Sequence, residues 1–196
     1  MKRFRKVLIV LLAILVPVSI GFGFNFFSWN KSQELSKEAM TVDGALTITD
    51  VANVKNLVPG DKICDDVTMD IKSSTVSLLR VKVDVYCADS TTPETNIEPI
   101  KNTNADWLKG SDGYYYYTQG VKNGDIVKLA EDGIYFNGLN DNVDMNEYQG
   151  KKIKVVANAE LVQAKHGVFA DKWGLSKSNN ADIYTTLKSI SDAQGK

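Results

Sequence analysis

The residues that could carry out chemistry in this chain are few. His166 is the only histidine among 196 residues, so one chain cannot supply an H-E-x-x-H zinc helix or any other two-histidine site. His166 could pair with Glu160 or Asp171 as an acid–base group, but its place next to Gly167 is typical of a solvated turn. No G-x-S-x-G, phosphate-binding glycine loop or Cys–His signature occurs. We therefore expect no enzyme activity and no catalytic residue.

Acidic residues could supply oxygen ligands to calcium. They occur as Asp65, Asp66 and Asp70, and in the segment DNVDMNE, residues 141–147. That segment has carboxylates and amides at alternate positions, but it lacks the glycine and the terminal glutamate of an EF-hand. Polar loops between strands have the same composition without a metal. We predict no metal and no cofactor, with calcium as the alternative.

The two cysteines, Cys64 and Cys87, lie in a chain whose beginning predicts export, where thiols can oxidise. A disulfide would close a loop of about 23 residues, worth roughly 3 kcal/mol in the chain-entropy model. However, Cys64 is out of phase with the apolar residues of its strand pattern, whereas Cys87 is in phase. Direct pairing of these two strands would place the sulfurs on opposite faces unless a bulge intervened. A Cys64–Cys87 disulfide and two buried thiols both remain open.

Four consecutive tyrosines, Tyr114 to Tyr117, could present aromatic faces to a sugar. In a strand, alternate side chains point to opposite faces, so at most two of the four share one face. Aromatic residues are also favoured in strands for packing reasons alone. We expect these tyrosines to belong to the core and the sheet surface.

The beginning of the chain predicts export. Four basic residues and no acid lie among the first six residues, and the 14-residue stretch VLIVLLAILVPVSI follows. That length fits the apolar core of a secretory signal, about 7 to 15 residues, better than a spanning helix of roughly 20. Gly21 and Gly23 are small enough for a cut that releases Phe24, with Ser19 and Gly21 as a second pair. The aromatic residues after Gly23 leave an uncleaved membrane anchor as the alternative.

Removal of residues 1–23 takes away four of the 23 Lys and Arg residues and none of the 24 Asp and Glu residues, which leaves a net charge of −5. A mildly acidic, mixed-charge surface offers no footprint for nucleic acid or anionic lipid. The remaining chain is long enough for one domain with a sizeable core.

The rest of the chain is dominated by short segments of alternating apolar and polar residues. They predict about seven strands, including 45–49, 63–71, 76–87 with a β-bulge at Leu78/Leu79, 114–118, 126–136 with a kink at Gly133, and a centrally placed 152–164. Asn-Gly in QGVKNGD predicts a hairpin turn. Near the end, FADKWG predicts a helical turn and 182–190 a small amphipathic helix. The pattern favours an all-β, antiparallel sandwich with a cleavable N-terminal signal helix and a short C-terminal helical tail.

Four landmarks in order give the chain a resemblance to a known family. They are FFSWNKSQELSKEAMTVDGALTI after the apolar segment, the PGD turn of Pro59 to Asp61, the long run from Val76 to Cys87, and a last group that starts at Trp107. This group continues through GYYYY and NEYQGKKIKVVANAELVQA to DKWG. The chain thereby resembles the TasA/camelysin family of secreted biofilm-matrix fibre proteins, and its last part resembles the BsaA-like members.

The resemblance implies a jelly-roll-like fold, export through a SipW-type signal peptidase, and polymerisation on the surface or in the extracellular matrix of a Gram-positive bacterium. It divides the chain into a signal (1–23), a donor-strand segment (24–43), a β-sandwich domain (44–175) and a polar tail with a short helix (176–196). Strand addition to another copy of the chain would use residues 24–42, with Phe24, Phe26, Phe27 and Trp29 as anchors.

Other interpretations remain beside this one. The aromatic residues could simply end the apolar segment. A membrane-tethered, monomeric adhesive or ligand-binding β-domain would use the Tyr114–Tyr117 face or the loop 88–106. Some relatives are classed as metallopeptidases, and the single histidine opposes that activity here.

Overall fold

The computed structural model describes residues 28–34, 45–49, 58–87, 90–101, 103–148 and 150–194. Within these ranges the chain is mostly β, with antiparallel sheets, and two α-helices lie near its C-terminus. The strands are β1 (Ser28–Glu34), β2 (Ala45–Thr49), β3 (Lys62–Cys64), β4 (Asp66–Asp70), β5 (Ser77–Cys87), β6 (Trp107–Lys109), β7 (Tyr115–Tyr117), β8 (Ile126–Lys128), β9 (Ile134–Tyr135) and β10 (Ile153–Gln163). The helices are α1 (Val168–Trp173) and α2 (Ala181–Ala193), with 3-10 turns at Met145–Tyr148 and Lys165–Gly167. The expected signal helix lies outside the described residues.

The strands form three sheets. The main sheet has the order β1-β10-β5-β7-β6, a second has the order β2-β4-β8, and β3 pairs with β9. The two 11-residue strands β5 and β10 pair along their whole length, from Ile153 opposite Cys87 to Gln163 opposite Ser77. The long strand predicted over 152–164 is confirmed as β10, which lies inside the sheet between β1 and β5.

All three sheets contribute to one main core. On the main sheet, alternate residues of β5 and β10 supply it, among them Val81, Val85 and Ala159. Val67 and Met69 come from β4, and Ile63 and Ile134 come from the β3–β9 pair. These are β-branched and aliphatic side chains at period-2 spacing, so each strand buries one full face.

The β-bulge predicted at Leu78/Leu79 is wrong. The pairing of β5 with β10 runs without a register shift through both residues. Leu79 points into the main core, whereas Leu78 belongs to a second cluster on the opposite face of the sheet. The alternation breaks because both faces of the strand are covered there, so two adjacent residues are both apolar.

The second cluster is covered by the C-terminal helices. Its residues include Leu78 and Val162 from the sheet, Phe169 from α1, and Ile183 and Leu187 from α2. The short helix predicted over 182–190 is confirmed and extends over Ala181–Ala193. Because Leu187 is only 1 % exposed, the C-terminal segment packs as part of the folded domain.

Two strand predictions and the hairpin prediction need correction. The single strand expected over 63–71 is two strands, β3 and β4, which separate at Asp65 and enter different sheets. The strand expected over 126–136 likewise divides into β8 and β9. The Asn-Gly turn is present, with Gly124 at a φ of +88°, but it joins β7 and β8, which belong to different sheets. A turn signal is local and cannot specify the partner of the strand that follows it.

Candidate functional site

The candidate assembly site is the edge of the main sheet where β1 lies. Strand β1 pairs antiparallel with β10 over seven residues, from Ser28 opposite Val162 to Glu34 opposite Val156. Trp29, one of the predicted anchors, is in β1 at the position opposite Leu161. The other predicted anchors Phe24, Phe26 and Phe27, and the predicted cut between Gly23 and Phe24, lie outside the described residues.

The acceptor strand β10 is long and largely apolar. Ala157 and Ala159 are fully buried and Leu161 is 5 % exposed. A strand with this composition, left unpaired at a sheet edge, would present a row of free N–H and C=O groups to any other strand. In this structure β1 covers that edge of β10 along all seven of its residues.

On the helix-covered face of the same sheet, a buried ion pair joins β5 to β10. The Arg80 side chain is 10 % exposed and that of Glu160 is 13 % exposed. Nε and one terminal nitrogen of Arg80 donate to the same Glu160 carboxylate oxygen, at 3.1 and 2.8 Å. The two residues face each other in the β5–β10 register. The strand register therefore places the Arg80 and Glu160 side chains next to each other on one face of the sheet.

Tyrosines and an aspartate complete this polar network. Tyr116 accepts a hydrogen bond from Arg80 at 3.2 Å and donates one to Asp112 at 2.5 Å. Tyr114 donates to the second Glu160 oxygen at 2.9 Å. The Arg80 guanidinium lies 3.8 Å from the ring centroid of Tyr114 and 4.9 Å from that of Trp173. The buried cation is thus satisfied by hydrogen bonds and by aromatic faces.

The turn between β6 and β7 brings Asp112 to this network. Gly110 donates to the Tyr114 carbonyl at 2.7 Å, and Gly113 donates back to the Gly110 carbonyl at 3.1 Å. A Cβ atom on Gly110 would lie 2.5 Å from the Asp112 carboxylate and 2.8 Å from the Tyr116 ring. Glycine is required here because the tyrosine ring and the carboxylate pack directly against the backbone.

The four tyrosines are packed as expected of core and sheet residues: the hydroxyl groups of Tyr114, Tyr115 and Tyr116 donate hydrogen bonds, and the Tyr117 ring packs against Trp107. Tyr115 and Tyr116 are 4 % and 1 % exposed, and the Tyr115 hydroxyl donates to Glu98 at 2.9 Å. Burial, followed by the charge of Glu98, raises the pKa of Tyr115, and burial together with the hydrogen bond to Asp112 raises the pKa of Tyr116. Tyr115 and Tyr116 are therefore not available as an aromatic platform for a sugar, whereas Tyr114 and Tyr117 are partly exposed.

Cys64 and Cys87 are both buried thiols, 2 % and 5 % exposed, and no disulfide joins them in the described part of the chain. Their strands do not pair directly, since β3 pairs with β9 and β5 pairs with β10 and β7. Burial, followed by the charge of Glu94, raises the pKa of Cys87 to about 11. A thiol in that environment is a poor nucleophile at neutral pH. The disulfide stays a prediction about the oxidised, secreted protein.

The acidic residues considered as calcium ligands do not form a metal site in the part of the chain that the structure describes. Among the described residues no group of three or more His, Cys, Asp and Glu side chains is placed to hold a metal ion. In the acidic loop, Asp144 accepts a hydrogen bond from the backbone of Asn146 at 3.0 Å, which is an Asx turn. His166 is exposed and has a φ of +66°, which agrees with a solvated turn residue.

Sequence reasoning missed the Arg80–Glu160 pair. Arg80 and Glu160 each interrupt a largely apolar strand, but Lys82, Asp84 and Lys154 do so too, and the strand patterns do not single out the pair. What could not be seen was that these strands pair in a register that places the two charges opposite each other across 80 positions of sequence.

No helix within the described ranges combines the length and the apolar character that a membrane crossing requires. Comparisons with protein-family models, with curated proteins and with solved structures found no match to this chain. The resemblance to the TasA/camelysin family therefore rests on the landmarks of the sequence alone.

Proposed function

We propose that this protein is a structural subunit of an extracellular fibre or biofilm matrix. After export, a SipW-type signal peptidase cuts between Gly23 and Phe24 and frees residues 24–43. The strand within that segment then adds to the main sheet of the next subunit. The protein acts outside the cell or at the surface of a Gram-positive bacterium, and its partner is another copy of itself.

The observation that carries the proposal is the pairing of β1 with β10. The N-terminal strand makes its ladder with a strand more than 120 positions later in the chain, at the edge of the sheet. If the same seven-residue ladder forms between two copies, main-chain hydrogen bonds supply affinity and the register sets which side chains meet. Donor and acceptor lie on different parts of the molecule, so the contact does not close on itself and gives a filament.

We also propose that the three sheets are arranged as a jelly-roll-like sandwich. The main sheet supplies one layer, and the β2-β4-β8 and β3-β9 sheets supply the other. The shared core of side chains from all three sheets supports this arrangement. A layered fold suits strand addition because its sheet edges remain accessible while its core is closed.

Electron microscopy of the chain that begins at Phe24 tests the proposal. Filaments are expected at high protein concentration, whereas a chain that lacks residues 24–34 should remain unassembled. A synthetic peptide of residues 24–36, added to the chain from Phe24, should shorten the filaments because it occupies β10 without extending the polymer. If the chain from Phe24 stays monomeric with and without the peptide, the proposed function is wrong.

The alternative of a tethered ligand-binding domain predicts that the protein remains in the membrane fraction with its N-terminus uncut. Tyr115 and Tyr116 are buried, which leaves that alternative only the partly exposed Tyr114 and Tyr117 of the tetrad.

A further inference from the structure

The second sheet also has an edge strand that comes from the N-terminal part of the chain. Strand β2 is the outermost strand of the sheet β2-β4-β8. It pairs antiparallel with β4 over five residues, from Ala45 opposite Asp70 to Thr49 opposite Asp66. Strand β1 is likewise the outermost strand of the main sheet. One N-terminal segment, residues 28–49, therefore supplies an edge strand to each of two sheets.

Contacts at the other end of the two sheets place β1 and β2 on one side of the proposed sandwich. There, β6 is the last strand of the main sheet and β8 is the last strand of the second sheet. The Trp107 indole nitrogen donates to the Lys128 carbonyl at 2.8 Å, and the Asn104 backbone donates to the Leu129 carbonyl at 3.3 Å. Both sheets contribute to one core. With β6 and β8 joined at one side, β1 and β2 lie at the other, one in each layer.

Both acceptor strands are held in place by strands of the rest of the chain. Strand β10 pairs with β5 along eleven residues, and β4 pairs with β8 from Thr68 opposite Lys128 to Asp70 opposite Ile126. Without residues 28–49, β10 and β4 would each present an unpaired row of N–H and C=O groups. An acceptor that is already positioned lowers the cost of adding a strand.

Apolar residues of the N-terminal segment take register positions opposite core residues in both ladders. Trp29 lies opposite Leu161 in the first ladder, and Leu46 lies opposite Met69 in the second. Leu161 and Met69 are 5 % and 1 % exposed and belong to the main core. The segment therefore matches both acceptor strands in its apolar pattern.

We infer that the segment exchanged between subunits is a two-strand donor, residues 28–49, which adds β1 to β10 and β2 to β4 of another copy of this chain. This inference rests on the proposed function and extends it, because the donor proposed above contains β1 but not β2. Residues 35–44 join the two strands and reach at most roughly 36 Å, whereas packed sheets lie about 10 Å apart. Once β1 has bound, β2 is held near its acceptor at an effective concentration on the order of millimolar, so each ladder strengthens the other.

Disulfide trapping at the second ladder tests the inference with the chain from Phe24. Thr47 and Thr68 are register partners, so one population carries Thr47→Cys and the other Thr68→Cys, each with Cys64 and Cys87 replaced by alanine. The two are mixed before assembly and then oxidised, and disulfide-linked heterodimers are expected on non-reducing electrophoresis. A single chain that carries both substitutions should form the same bond internally, which shows that the variants fold with this ladder.

Two further pairs make the result specific. Lys128→Cys is the matched control, because Lys128 pairs with Thr68 from the other side and so lies two strands from Thr47, about 10 Å away; with Thr47→Cys it should give no heterodimer. Ser32→Cys with Asn158→Cys reports on the first ladder. Disulfides at both ladders support the two-strand donor. A disulfide at one ladder only overturns the inference, and it leaves the proposed function standing if that ladder is the first; none at either ladder overturns both.

Peptide competition measures the coupling between the two strands without any cysteine. A peptide of residues 24–49 should shorten the filaments at a concentration at least about 100-fold below that needed for an equimolar mixture of peptides 24–36 and 43–50, because linkage makes the second binding step intramolecular. Leu46→Asp in the long peptide should remove most of that advantage, and Thr47→Ser in the same strand should retain it. Equal potency of the long peptide and the mixture would overturn the inference, even if both shorten the filaments.

Discussion

Among single residues, Arg80 contributes most to the order of the helix-covered face. Its guanidinium contacts Glu160 by two hydrogen bonds and Tyr116 by one, and it lies over the Tyr114 ring. A buried ion pair of this kind gives little net stability over an apolar pair, but the loss of one member is costly because the other charge stays buried. The pair therefore selects one register of β5 against β10 more than it stabilises the fold.

Arg80→Met should lower the free energy of unfolding by about 3–5 kcal/mol, because it leaves the Glu160 carboxylate buried without its cation. The double substitution Arg80→Met/Glu160→Leu should recover most of that loss. Urea unfolding measures both. Lys188→Met is the matched control: it removes an exposed ion pair with Asp192, with side chains 46 % and 63 % exposed, and should leave the free energy of unfolding nearly unchanged. Equal losses for Arg80→Met and Lys188→Met would refute this account of the pair.

Cys87 makes the stability depend on alkaline pH. Burial raises its pKa from 9.0 to about 11, so the folded state holds a proton that the unfolded state releases between these values. The stabilisation is complete below pH 9 and is lost as the pH rises towards 11. The raised pKa values of Tyr115 and Tyr116 act in the same direction at higher pH.

Cys87→Val should therefore flatten the decline of stability over that alkaline range, since valine has no proton to lose. Urea midpoints measured at several pH values for both chains give the comparison. A decline of equal slope in the two chains would show that Cys87 does not contribute to it.

At the scale of elements, α2 acts as a cover for the first half of β5. The first five residues of β5 are all buried, and burial alternates only beyond them. The helix contributes Ile183 and Leu187 to the second cluster, and Ser191 in its last turn accepts a hydrogen bond from the Gly167 backbone at 2.8 Å. The C-terminal helix thus both buries an apolar face and anchors the turn before α1.

Leu187→Ala should lower the free energy of unfolding by about 2–5 kcal/mol, because it opens a cavity between α2 and the sheet. Ser189→Ala, at an exposed position of the same helix, should change it by less than about 0.5 kcal/mol. Thermal or urea unfolding distinguishes them. If the two variants are equally stable, the helix does not pack on the sheet as described.

The sequence predicted those elements whose apolar periodicity lies within a single segment, and it failed where the outcome depended on which strands pair. Period-2 alternation predicted β5 and β10 closely, and 3.6-residue periodicity predicted α2. At Leu78/Leu79 the alternation led to the wrong prediction of a bulge. A strand that is buried on both faces has two adjacent apolar residues, and a bulge gives the same sequence pattern. The break at Asp65 was missed because Val67 and Met69 resume the phase of Ile63 beyond it, although the chain changes sheets there.

At the scale of the whole molecule, the sequence indicated a β-rich domain, which the structure confirms, but could not indicate its sheet order. The candidate site shows the same limit. Trp29 was singled out by its residue type, and β10 by its length, yet their pairing joins segments that are far apart in the chain.

The central claim is that the ladder between β1 and β10 forms between subunits as well as within one. Ser32 and Asn158 are register partners in this ladder, which makes them suitable for disulfide trapping. One population of the chain from Phe24 would carry Ser32→Cys and the other Asn158→Cys, both with Cys64 and Cys87 replaced by alanine. The control population would carry Lys154→Cys instead of Asn158→Cys, four residues away along the same strand.

The mixed populations are oxidised under assembly conditions, and non-reducing electrophoresis then measures the disulfide-linked dimers. The account predicts disulfide-linked heterodimers for Ser32→Cys with Asn158→Cys, and none for Ser32→Cys with Lys154→Cys. It would be contradicted if no disulfide formed between the populations while one formed readily within a single chain carrying both Ser32→Cys and Asn158→Cys.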